Sequence, residues 1–116
     1  MRKILFHSNL YWTAHSKRKM RQYQLSESRI KRLLRNFNRK EKGIVPNTVA
    51  VMSKAGTVKR PYEIWTMFQK RGQKIIIITA WKYPGTSPIR EGIPIPLDIL
   101  EELKRIDLVS EKMTEF

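Results

Sequence analysis

Apolar positions recur at helical spacing only once with full clarity. Ile30, Leu33, Leu34 and Phe37 fall at i, i+3, i+4 and i+7, the stripe of an amphipathic helix. Ser26 stands where its N-cap belongs, after a break at Gln24-Leu25. A shorter helix precedes it, with Thr13 as its expected N-cap. On that helix Ser16, Met20 and Tyr23 give the apolar side, while His15, Lys19 and Gln22 share a polar face with Arg18 beside them.

From Asn47 onward the period changes to two. NTVAVMS alternates as a strand does. After Pro61 the stretch YEIWTMFQ places Tyr62, Ile64, Thr66 and Phe68 on one face and Glu63, Trp65, Met67 and Gln69 on the other. Lys70-Arg71-Gly72 reads as a hairpin turn into QKIIIITAWK, whose four consecutive isoleucines, Ile75 to Ile78, mark the most buried strand. Residues 2 to 12 are a short first strand or an aromatic-rich lead-in, and NRKEKGIVPN is read as a loop closing the helical half. The expectation is an α+β domain, two N-terminal helices packed on a three- to four-stranded antiparallel sheet, with a core over residues 10–83. A proline- and glycine-rich loop follows at 84–95. An acidic C-terminal helix over about 96–108 carries its apolar side through Leu97, Leu100, Leu103 and Ile106.

Length supports one domain, since 116 residues suffice for one core but not two. The chain has no cysteine and two histidines, His7 and His15. Thiolate metal sites and disulfides are therefore excluded, and a metal centre built on His7, His15 and Glu63 lacks any ligand spacing. No cofactor is expected. The longest apolar run, Ile75 to Ile78, is far below membrane length, so neither a span nor a leader is read, and a cytoplasmic location is expected.

Charge changes the picture most. With 24 Lys+Arg against 10 Asp+Glu the net charge is +14, and it is uneven: +11 over residues 1–42, +7 over 43–90 and −4 over 91–116, counted along the sequence. A field this positive favours phosphate, because each neutralised phosphate releases condensed counterions. RNA or the ribosome is the leading partner, and an acidic protein partner is the alternative. Arg32, Arg35 and Arg39 are read as a stripe on the second helix for RNA. Trp65 and Trp81 on neighbouring strands, with Tyr62 and Tyr83, are candidates for base stacking. Glu63 is read as an arginine partner rather than an orienter of His15. The acidic last helix is expected to fold back over the basic body and tune access.

The stretch HSKRKMRQYQLSESRIKRLL, with His15 opening a helix, Lys19-Met20 following, and Leu25-Ser26 starting the next, resembles the small His-x3-Arg-Met helix domains of bacterial and mobile-element genomes. These are related to the RelE/ParE and BrnT-like toxins. The resemblance spans about residues 10–82. Lys19 stands where that pattern carries arginine and Gln24 where it carries glycine. It implies a compact RelE/BrnT-like α+β unit and a toxin–antitoxin setting with an acidic antitoxin-like partner. The activity it implies is metal-independent endoribonuclease action, with His15 as base or acid, Lys19 and Arg18 on the phosphate, and Lys82 and Tyr83 completing the site. Endoribonuclease action is the leading expectation, and a noncatalytic RNA- or ribosome-binding module, motivated by the charge, is the alternative.

Overall fold

The computed structural model describes residues 10–88 and 101–105. The readings for His7, for residues 2–9, and for 89–100 and 106–116 of the loop and last helix fall outside them. Seven elements follow in order: β1 (Leu10–Trp12), α1 (Ala14–Tyr23), α2 (Glu27–Arg35), β2 (Arg39–Lys42), β3 (Thr48–Gly56), β4 (Pro61–Arg71) and β5 (Lys74–Pro84). They form one α+β unit around a five-stranded sheet of order β1-β5-β4-β3-β2.

The α+β class is as expected, but the sheet is mixed. β1 runs parallel to β5, pairing Leu10 with Ile75 and Trp12 with Ile77, while the other pairs are antiparallel. The parallel pair follows from connectivity, because α1 and α2 intervene between β1 and the antiparallel strands. β2 falls in the stretch read as loop. Its sequence, RKEK, carries no strand signal; the exposed backbone edge of β3 recruits it, pairing Arg39 with Met52 and Lys42 with Val49.

Both helices are closed by their sequence. Thr13 Oγ1 accepts from Ser16 N–H at 3.0 Å and donates to the carbonyls of Ile77 and Ile78 at 2.8 and 3.0 Å. One residue thus caps α1 and nails its start to the middle of β5. At the other end Gln24 sits in the left-handed region (φ 57). Its N–H reaches Arg21 O, and Leu25 N–H reaches Met20 O at 2.8 Å. This is a Schellman closure, in which the left-handed position favours glycine and here carries glutamine. Leu25 turns back as a buried side chain in the same core cluster as Met20. Ser26 then caps α2 by accepting from Arg29 N–H at 3.1 Å. Of the expected stripe, Ile30, Leu33 and Leu34 lie on α2 and Phe37 lies just past its C-cap Asn36; all four are buried.

The sheet has two apolar faces. Under the helices lie Val51, Ile64, Phe68, Ile75, Ile77 and Ala80 with the α2 stripe. On the far face Ala50, Met52, Trp65, Met67, Ile76 and Ile78 gather with Leu103. Residues 101–105 are helical and seat Leu103 there.

A bulge decides what the end of β5 presents. Met67 pairs with Thr79 but Phe68 pairs with Ile77, so Ile78 is the extra residue. Up to it the odd positions Ile75 and Ile77 face the helices; past it Ala80 does, and Trp81 and Tyr83 face away. An insertion of one residue exchanges faces. The bulge turns Lys82 to the helix side.

Candidate nucleic-acid interface and the opposite face

α1 and α2 hold eight Lys/Arg and one Glu between them. Lys17, Arg18, Arg21, Arg32 and Arg35 are exposed. The cause is the amphipathic pattern: apolar positions are committed to the sheet, and the remaining positions are basic.

Beside the first turns of α2, between it and the ends of β4 and β5, lies a cavity of about 240 Å³ lined in part by Ser28, Arg29, Arg32, Tyr62 and Lys82. Leu25 and Ile64, both buried, also line it. Lys82 Nζ sits 5.2 Å from the centre of the Tyr62 ring, a cation–π contact. A smaller recess of about 60 Å³ adjoins it along α2, sharing Arg29, Arg32 and Ile64.

Of the residues proposed for catalysis, Lys82 lines that cavity and His15, Lys19 and Tyr83 do not. His15 is buried, 6% exposed, with Arg18 Nη2 at 3.5 Å from its Nδ1. Lys19 donates to Gln22 at 3.2 Å. α1 starts at the level of Ile77 and Ile78, whereas Leu25, just past its far end, lines the Lys82 cavity. Ten helical residues span about 15 Å, which separates His15 from Lys82 along the helix. Tyr83 follows Lys82 on the strand and therefore faces the other side of the sheet, in register with Glu63. Among the described residues no group of His, Asp and Glu is placed to hold a metal ion.

The far face holds a different chemistry. Arg39 is not on the helix stripe with Arg32 and Arg35, because α2 ends at Arg35 with Asn36 as C-cap. It belongs to β2, where its guanidinium pairs with Glu41, lies 3.7 Å from Glu63 Oε2, and donates to the Ser87 carbonyl at 2.8 Å. The same guanidinium lies 5.2 Å from the Trp65 ring centre. Trp81 stacks on Trp65 from β5, with centroids 5.4 Å apart and planes within 3°. Trp65 is completely buried and donates its indole N–H to Glu63 at 2.9 Å. It has no face open to a nucleotide; Trp81 is partly exposed.

Glu63 completes the network as an arginine partner. Ser87 donates to it through its hydroxyl at 2.6 Å and its N–H at 3.1 Å. Burial pushes its carboxyl pKa up, but the bonds from Ser87 and Trp65 and the charge of Arg39 outweigh this, and the net shift is downward. Beyond it, Glu102 accepts from Ala14 N–H at 2.8 and 3.2 Å, placing a carboxylate on the first turn of α1. The acidic C-terminal segment thus touches the body at the start of the helix that carries His15.

Arg29, Ser28 and Tyr62 line the cavity without having been singled out as a group from sequence. The signal was present. Counting from the Ser26 cap puts Arg29 and Arg32 one turn apart at the head of α2. The pairing of that turn with Lys82 was not readable without the bulge. No family model, curated protein or solved structure matches this chain.

Proposed function

We propose that this chain is a noncatalytic RNA-binding protein that engages phosphates through the layer formed by α1 and α2. The observation that carries this reading is the segregation of charge across the sheet. Eight bases and one acid lie on the two helices, while Glu41 and Glu63 are engaged on the opposite face by Arg39. No helix among the described residues is long and apolar enough to cross a membrane.

The cleaving alternative that the resemblance implies receives less support from the geometry. Proton transfer to or from a ribose hydroxyl needs the acid or base within hydrogen-bond reach of the reacting group. His15 is buried at one end of α1, and the cations that line a cavity are at the other end.

The test is binding of a single-stranded oligoribonucleotide, followed by fluorescence anisotropy across a salt series, beside duplex DNA of the same sequence and an RNA integrity assay in EDTA. Affinity is expected to fall linearly on a log–log plot, with a slope of about −0.7 per phosphate engaged, and the RNA is expected to stay intact. Salt-insensitive affinity would remove phosphate contact as the basis. Cutting that disappears in His15→Ala would return the function to the nuclease class.

A further inference from the structure

We infer that the cavity between the head of α2 and the ends of β4 and β5 is a phosphate site, in which Arg29, Arg32 and Lys82 together hold one phosphate group. The inference rests on the RNA-binding reading only for what carries the phosphate.

Three cations from two elements line one concavity of about 240 Å³. Among the described residues none of the three enters an ion pair. Like charges gathered around one space repel each other, and an anion there removes that repulsion while gaining charge-assisted hydrogen bonds. The arrangement is held by structure on each side. Arg29 and Arg32 lie one helical turn apart on α2, whose apolar stripe is fully buried. Lys82 is delivered to this side by the bulge at Ile78 and held over the Tyr62 ring. Leu25 and Ile64 contribute apolar surface, which lowers the local dielectric and strengthens every charge contact above it.

Size and charge narrow the ligand. The adjoining recess of about 60 Å³ has room for roughly two waters, so it admits no nucleotide. A phosphate is compact enough to sit among the three cations, with its ribose leaving past Tyr62. Guanidinium groups present paired donors matched to phosphate oxygens, and Lys82 adds a point charge. A terminal phosphomonoester carries about −1.5 to −2 charges at neutral pH, against one for an internal phosphodiester; both supply the required chemistry.

The experiment is an NMR titration of the full chain. The reporters are the Arg29 and Arg32 side-chain Nε–H and the Ser26 and Ser28 amide signals. Inorganic phosphate is the first probe, with chloride at equal ionic strength as control. The second probe is one oligoribonucleotide in three forms, 5′-phosphate, 3′-phosphate and hydroxyl at both ends. Phosphate but not chloride is expected to move these signals. Arg32→Gln at an exposed position and Lys82→Met at a half-buried one are expected to weaken oligonucleotide binding by about tenfold or more, the size of one lost charge-assisted hydrogen bond. A preference for one phosphorylated form assigns a terminal phosphomonoester. Equal affinity for all three, lowered equally by both substitutions, assigns an internal phosphodiester. If phosphate moves none of the signals and neither substitution alters binding of any form, the site is refuted, even with salt-dependent RNA affinity intact. If phosphate moves them while no oligonucleotide binds, the site stands and the RNA reading falls.

Discussion

The two faces of the sheet use the same residue types to opposite ends. On the far side, Arg39 is enclosed by Glu41, Glu63, Ser87 and Trp65, so its charge is met within the protein. On the helix side, Arg29, Arg32 and Lys82 line a concavity and meet no carboxylate among the described residues. An arginine enclosed by acceptors contributes to the fold, and one left at a cavity wall is available to a ligand. Position relative to the end of α2, not residue type, decides which role each arginine takes.

The comparison predicts where substitutions act. The largest effect is expected at Trp65. Replacing this fully buried ring by alanine removes its stack with Trp81 and the surface beneath Arg39, and a loss of about 3–5 kcal/mol is expected. Urea denaturation checks it. A loss under about 1 kcal/mol would mean that this face is not the structural one.

Glu63 comes next. Glu63→Gln keeps the shape but removes the charge opposite Arg39, and is expected to cost about 1–3 kcal/mol at neutral pH. The carboxyl's pKa is depressed in the folded state. Its contribution is therefore fully present above the ordinary glutamate value of 4.5 and is lost as pH falls through the lower folded value. Urea midpoints of the wild type and Glu63→Gln measured at neutral pH and in acid should converge as pH drops below that value. A constant gap would show that the network does not depend on the charge of Glu63.

Ser26→Ala probes the head of α2, where the basic cavity meets the fold. Loss of the bond to Arg29 N–H is expected to cost about 1 kcal/mol. A cost near zero in thermal or urea unfolding would show that α2 is held by its apolar stripe alone.

Much of this was legible in sequence because it is local. The caps at Thr13 and Ser26, the Ile30, Leu33 and Leu34 stripe, and the two faces of β4 each depend on residues within a few positions. What was hidden depends on partners far along the chain. RKEK becomes β2 because β3 has an edge to fill, and the parallel pairing of β1 follows from where α1 starts. Leu103 closes the far face from a segment that reads only as a helix. The candidate site divides in the same way. Arg32, Arg35 and Lys82 were named from charge and strand position, but Arg39 was carried onto the helix by extending its period past Asn36. Trp65 reads as an open aromatic until the far face is known to be closed. The bulge at Ile78 leaves no mark in a run of four isoleucines, yet it sets which side Lys82 faces.

The smallest effect on stability, and the sharpest on function, is expected at Arg35. It is exposed on the last turn of α2, so Arg35→Gln should change unfolding by no more than about 0.5 kcal/mol. If α2 runs along an RNA backbone, the same change should reduce the salt slope of binding by about 0.7. Arg39→Gln is the matched control. It removes the guanidinium that pairs with Glu41 and lies 3.7 Å from Glu63, so it should lower stability more than Arg35→Gln while leaving the salt slope as it was. The three residues between the two positions place them on opposite sides of the sheet. A slope that falls with Arg39 and not with Arg35 would reverse the assignment of the faces, putting the phosphate-binding surface on the side of Trp65 and Trp81.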